Sequence, residues 1–189
     1  MSFSIRPATS ADLDAITAIY RENVQNGTAT YELDAPDRTE MERRFSTITG
    51  KGYPYLAAEG ADGALIGYAY ASAFRDRPAY SWLVEDSIYL APEARGQGLG
   101  KALLADLLSR TEALGFRQMV AVIGGAHPAS VAVHRACGFD LIGTMPGTGF
   151  KFGRWLDTVI MQKALGAGTE TPADLTRYPG TLANGIAGR

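Results

Sequence analysis

The sequence predicts an α+β domain, with a mixed, largely antiparallel central sheet and helices on both faces. Three observations carry that reading. Strand-like runs at 55–59, 64–73 and 80–90 follow one another closely, and Gly60-Ala61-Asp62-Gly63 between the first two is a hairpin loop, so these strands are antiparallel neighbours. A long helical pattern then places Leu99, Leu103, Leu107 and Leu114 inward, with Leu104 and Leu108 beside them. The almost uninterrupted apolar run Met119-Val120-Ala121-Val122-Ile123 marks a central strand buried on both faces.

The remaining elements fall around these. Residues 4–7 read as a short first strand. Thr9 and Asp12 form a capping-box-like start for a helix over 10–23, with Leu13, Ile16 and Ile19 at helical spacing. The stretch from Asn26 to Glu32 is polar and β-branched, more loop than element. A second helix over 38–49 carries Met41, Phe45 and Ile48 on one face. Gly115 suits the residue just past the long helix. Pro128 opens a further short helix and Gly138 closes it. Residues 139–144 and 155–162 are the last strands. From Gly166 the chain is rich in Gly, Thr, Ala and Pro without apolar periodicity. The organisation is therefore one domain over 1–165 and a mobile or surface-draped tail over 166–189.

Composition bounds the function. The chain has 189 residues, a net charge of −2 and a 46% apolar fraction, ordinary for one globular domain. No basic stripe supports nucleic-acid binding. No apolar run reaches membrane-spanning length, and the N-terminus lacks a signal-peptide core. A single cysteine, Cys137, excludes an intrachain disulfide and suits a cytoplasmic setting. The two histidines, His127 and His134, lie seven apart and give poor material for a metal site, so no metal is expected.

The chemistry concentrates at Arg95-Gly96-Gln97-Gly98-Leu99-Gly100-Lys101, between a strand and the long helix. The first N–H groups of a helix lack internal partners and carry the positive end of its dipole. Glycines let a phosphate approach them, and Arg95 and Lys101 add charge, so the turn is built for a pyrophosphate. The spacing fits neither the Walker A loop nor the dinucleotide fingerprint.

The remaining pattern, R-x-x-G-x-G, resembles the acetyl-coenzyme A loop of the GCN5-related N-acetyltransferases (GNAT). Val84-Glu85-Asp86-Ser87-Ile88-Tyr89, Val120-Ala121-Val122-Ile123-Gly124 and His134-Arg135-Ala136-Cys137-Gly138-Phe139 stand in the matching order. With Gly27-Thr28-Ala29-Thr30-Tyr31 and Lys151-Phe152-Gly153-Arg154-Trp155-Leu156-Asp157 they are similar to the phosphinothricin and methionine sulfoximine/sulfone acetyltransferases. The resemblance covers residues 3–163. It implies the GNAT fold, acetyl-CoA as cosubstrate and transfer of its acetyl group to the α-amino group of a small amino-acid-like acceptor. It also implies a homodimer.

Residue by residue, the resemblance makes Glu85 the base that takes the ammonium proton; Trp82, Val84 and Ile88 around it suggest burial that would raise its pKa. Asp86 is the competing carboxylate, on the opposite face by strand alternation. His134 falls where many relatives carry a tyrosine that protonates the leaving thiolate, and a packed helix histidine is the equal alternative. Ile88, Tyr89 and Leu90 would offer backbone to the pantetheine arm and the forming oxyanion. Gly96, Gln97, Gly98, Leu99, Gly100 and Lys101, with Arg95, would hold the pyrophosphate. His127 stands where relatives often have an asparagine facing the pantetheine arm, and Ser130 adds a second contact. Arg75, then Arg77, would meet the acceptor carboxylate, with Tyr31, Phe74 and Tyr80 walling its side-chain pocket. Two rivals share these features. One is an acetyltransferase for another amine, such as a polyamine, an aminoglycoside or a protein N-terminus. The other is a non-catalytic acetyl-CoA-binding module.

Overall fold

The computed structural model describes residues 2–175. Seven strands form one sheet in the order β1-β2-β3-β4-β5-β7-β6. They are β1 (Phe3–Pro7), β2 (Tyr55–Gly60), β3 (Leu65–Ala73), β4 (Leu83–Leu90), β5 (Gln118–Gly124), β6 (Asp140–Lys151) and β7 (Arg154–Ala164). Every neighbouring pair is antiparallel except β4 and β5, which run parallel. The helices are α1 (Leu13–Asn26), α2 (Arg38–Gly50), α3 (Leu99–Ala113) and α4 (Pro128–Ala136).

Strand alternation divides the core into two layers. On one face Leu13, Ile16 and Tyr20 of α1 and Met41 of α2 pack over Tyr55, Tyr68 and Tyr89. On the other, Leu99, Leu103, Leu104 and Leu107 of α3 cover Leu56, Ala58, Ala69, Ala71 and Val84. The tyrosine layer is ordered: Tyr55 stacks on Tyr70 at 4.8 Å, and Tyr20 meets Tyr89 edge-on at 4.9 Å. Helices thus lie on both faces, as the sequence predicts.

One irregularity governs the rest. β4 and β5 pair only at Leu83–Gln118, Val84–Met119 and Glu85–Val120. Beyond Glu85 they diverge, and the β5 side of β4 from Asp86 onward has no strand partner there. A parallel pair cannot be joined by a tight turn; here the crossover is α3, whose first turn sits at the mouth of the split.

Several sequence expectations need correction. The first helix opens with a 3₁₀ turn at Ser10–Asp12 and runs on to Asn26. The strand expected over 80–90 starts at Leu83, because Pro78 nucleates a 3₁₀ turn at Pro78–Tyr80. Leu114 is 40% exposed, since it caps α3 after the last inward turn. Val122 is 38% exposed rather than buried, because the split leaves it facing a cavity. β6 is longer than expected; register shifts between Leu141 and Gly143 and between Met145 and Gly149 fall in a glycine-rich stretch that hid the strand. The tail expected over 166–189 is not among these corrections: Leu165 ends the domain, 1% exposed with its amide on the Arg117 carbonyl, and Thr171 in the described start of the tail bonds the Arg117 side chain. Residues 176–189 of the expected tail lie outside the described residues. No described helix is long and apolar enough to cross a membrane.

Candidate active site

The split between β4 and β5 opens into a cavity of about 750 Å³. Its wall takes in Gly96, Gly98, Gly100 and Lys101 from the α3 turn, Glu85 to Leu90 from β4, Ala121 to Gly124 from β5, and His127, Ser130 and His134 from α4. Residues Gly27 to Thr30 close the other end. Most of the residues named from sequence on β4, the α3 turn and α4 therefore line one space; Gln97 and Leu99 do not.

The turn before α3 has the geometry an anion needs. Gly96 and Gly98 have φ of +74° and +83°, and a Cβ at either would meet nothing within 4 Å. The loop is thus shaped for backbone conformation and left open on its outer side. α3 begins with Ala102 N–H bonding Gly98 O, which leaves the amides before it free to donate outward. These groups fit a pyrophosphate. Leu99 is 1% exposed, so only its backbone is available, and the Gln97 side chain is tied back to the Glu93 carbonyl. Arg95 reaches across to α1, where it pairs with Glu22 and bonds the Leu90 carbonyl at 3.3 Å.

Glu85 and Asp86 face opposite sides of the sheet. Glu85 lies opposite Ser72 on the tyrosine face, one alternation from Ser87 and Tyr70. Burial pushes its carboxyl up to about 7, with the Asp86 charge adding to the shift and Arg75 opposing it. Tyr70, hydrogen-bonded to Ser87, is pushed up to about 12 by burial and stays protonated beside it. Asp86 is 7% exposed and meets His134, which is 4% exposed, with Oδ2 to Nε2 at 3.0 Å. The other ring nitrogen, Nδ1, lies 2.7 Å from the Ser130 carbonyl. Both nitrogens of His134 are therefore engaged.

The residues expected around the acceptor divide. Arg75 lies over the Phe74 ring at 4.3 Å, and Phe74 meets Tyr80 edge-on at 5.9 Å. This cluster follows β3 and is electrostatically felt at Glu85, but none of the three is among the cavity-lining residues. Arg77 is exposed and its carbonyl starts the 3₁₀ turn. Tyr31 anchors its loop. Its hydroxyl accepts from Gly125 N–H at 3.0 Å, donates to the Asp157 carbonyl at 2.9 Å and lies 2.9 Å from Thr158 Oγ1. A Cβ on Gly149 would come within 2.7 Å of its ring. Lys151, 3% exposed, donates to the Thr30 carbonyl at 3.0 Å and fastens the same loop. The wall also takes in Tyr70, Val122 and the loop Gly27 to Thr30; the loop stands in the sequence as part of the motif Gly27-Thr28-Ala29-Thr30-Tyr31 and of the polar, β-branched stretch 26–32, with no site role read for it.

The arrangement combines a glycine-rich helix start, a split parallel pair and a carboxyl raised toward neutrality, in a chain that is similar over most of its length to known proteins. Residues 5–160 match the family model of the acetyltransferase (GNAT) domain. The chain belongs to the GNAT acetyltransferase family. It is 48% identical over 169 residues to a phosphinothricin N-acetyltransferase of Alcaligenes faecalis, covering 89% of this chain and 85% of that one. It is 43% identical to an L-methionine sulfoximine/L-methionine sulfone acetyltransferase of Pseudomonas aeruginosa, over 86% of this chain and 94% of the relative. Among solved structures it is similar to a GNAT superfamily phosphinothricin acetyltransferase from Sinorhizobium meliloti in complex with AcCoA. That similarity has a TM-score of 0.94 and 63% identity, over 97% of this chain and 99% of the other.

Proposed function

We propose that this N-acetyltransferase moves the acetyl group of acetyl-CoA to the α-amino group of a small amino-acid-like acceptor of the phosphinothricin, methionine sulfoximine or methionine sulfone type. The observation that carries the mechanism is Glu85, a carboxyl raised to about 7 on the wall of the β4–β5 cavity. An ammonium is not a nucleophile; a base of matched pKa must take its proton first. Glu85 takes it, directly or through a water. The amine then attacks the thioester carbonyl. Backbone N–H groups of β4 near Ile88 to Leu90, unpaired toward β5, are suited to the oxyanion. Collapse of the adduct expels the thiolate. The bare glycine turn and Lys101 would hold the pyrophosphate, while the backbone of β4 and the His127 and Ser130 side chains would hold the pantetheine arm. Arg75 supplies the cation for the acceptor carboxylate and lies close enough to oppose the Glu85 shift. The names of the relatives support the acceptor class.

The function is cytoplasmic and dimeric in this reading. Met145, Phe150 and Trp155 on the β6–β7 arm are 48%, 55% and 70% exposed, which supports a second copy covering them.

The test is thiol release from acetyl-CoA with methionine sulfoximine, methionine sulfone, phosphinothricin, spermidine and an aminoglycoside. The wild type should turn over the amino-acid analogues alone, with kcat/KM rising as pH passes through about 7, where Glu85 loses its proton. Glu85→Gln should lose on the order of 10²-fold or more in kcat. Turnover of spermidine or the aminoglycoside in preference would overturn the acceptor class. Full activity in Glu85→Gln would overturn the base. Tight acetyl-CoA binding without any turnover would favour a binding module.

A further inference from the structure

The pair formed by Asp86 and His134 is unexplained by a single helix residue acting alone. His134 Nδ1 lies 2.7 Å from the Ser130 carbonyl oxygen, which can only accept, and 3.4 Å from the Ser130 hydroxyl; the much shorter contact assigns Nδ1 a hydrogen that it donates to that carbonyl. A neutral imidazole has one N–H. With that hydrogen spent on Ser130, Nε2 would present a bare lone pair to Asp86 Oδ2 at 3.0 Å. Two lone pairs at that distance repel, so the edge between them holds a further proton. Asp86 Oδ1 has no hydrogen-bond partner although it is buried. A buried carboxylate so poorly satisfied needs its one partner charged.

We propose that Asp86 is the positioning residue that keeps a proton on the His134 Nε2 edge, making the pair the proton store for the departing thiolate. The proposal rests on the acetyl-transfer reading above. When the C–S bond of the adduct breaks, its electron pair stays on sulfur. The proton on the Asp86–His134 edge moves to that sulfur and gives the free thiol. The pair is left as imidazole and carboxylate and regains a proton from solvent. Of the two protons the nitrogen gives up, the first has gone to Glu85 before the attack, and the second, made acidic by the new C–N bond, leaves to water as the adduct collapses. The two transfers reinforce each other: discharge of the pair leaves an uncompensated Asp86 charge, and that charge favours the protonated form of Glu85.

The surroundings agree. Burial alone would lower the His134 pKa, but the hydrogen bond and charge of Asp86 and the Ser130 bond outweigh it and hold it above its ordinary value. The other ionisable groups near the pair are Glu85 on the far face of β4, Lys101 from α3 and Cys137 from α4, with Lys163 of β7 close to Cys137. The Phe139 ring meets the imidazole edge-on at 5.0 Å and is apolar. Asp86 is the one anion in direct contact with the ring.

Two histidines make the test direct. Imidazole nitrogen NMR of the wild type, with the His134 signals assigned by their loss in His134→Asn, should show both nitrogens protonated at neutral pH and a pKa above that of free imidazole. A neutral His134 in the wild type would overturn the proposal without any variant. In Asp86→Asn that pKa should fall by one unit or more. The alkaline limb of kcat should move to lower pH by a similar amount, with acetyl-CoA KM little changed and a loss of about 10-fold or more in kcat at mildly alkaline pH. A His134 titration and a kcat profile both unmoved in Asp86→Asn would also overturn it. Glu85→Gln separates the two ideas. If Glu85→Gln stays active while Asp86→Asn shifts both readouts, the proton store is supported and the base is lost. If Glu85→Gln is inactive while Asp86→Asn is silent, the base stands and the store is refuted.

Discussion

Glu85 sits where burial disfavours its ionised form. Its folded pKa of about 7 lies above the ordinary 4.5, so the folded chain holds this proton more tightly than the unfolded one. The sign follows: Glu85 costs nothing at pH below about 4.5, and stability is progressively lost as pH rises from there through about 7. Glu85→Gln removes the charge and keeps the shape. At about pH 8 it should stabilise the fold by roughly 3 kcal/mol, or about 6–12 °C in Tm, and the gain should vanish near pH 4. Calorimetry at the two pH values reads the difference; equal melting temperatures at both would mean a solvated carboxylate. Arg95 shows a contrasting economy. Its partner Glu22 comes from α1, so the flank of the glycine turn is braced against the opposite layer of the fold.

The loop between α1 and α2 walls one end of the cavity, and it is held from outside. The Tyr31 hydroxyl and the buried Lys151 ammonium tie it to the ends of β5, β6 and β7. Gly124 lets it come close, since a Cβ there would lie 2.6 Å from the Thr28 carbonyl. Tyr31→Phe should cost about 1–2 kcal/mol of stability from the lost hydrogen bonds. It should raise the acceptor KM by roughly 10-fold, the equivalent of about 1.4 kcal/mol, with acetyl-CoA KM unchanged. Steady-state kinetics varying each substrate in turn decides it; an equal rise in both constants would place the effect in the fold at large. The sequence made the helices, the strand order and the β4 and α3 residues legible, because periodicity and the glycine turn are local signals. The anchoring bonds of Tyr31 were not legible, because an aromatic in a polar loop gives no sign that its hydroxyl bonds a strand 126 residues away. Leu114 and Val122 were misread for a related reason: helix termination and strand divergence are set by partners distant in sequence. The link between Asp86 and His134 spans 48 residues and joins two motifs that sequence reading treated separately.

At the scale of the whole molecule, the β6–β7 arm ends the sheet with an apolar surface. Phe150 and Trp155 form an exposed cross-strand pair with ring centroids 5.2 Å apart. Trp155→Glu should convert the proposed dimer to monomer, read by light scattering. Since Lys151 lies between Phe150 and the acceptor loop's Thr30, the monomer should also lose acceptor affinity by several-fold. A wild type that is monomeric at all concentrations would end this prediction. The divergence of β4 from β5 has a mechanical meaning as well. Three residue pairs join the block of β1 to β4 to the block of β5 to β7, and beyond them the seam is open. In the proposed reaction, a donor bound along that seam would act as a keystone, an eighth strand that joins the two blocks for as long as it stays.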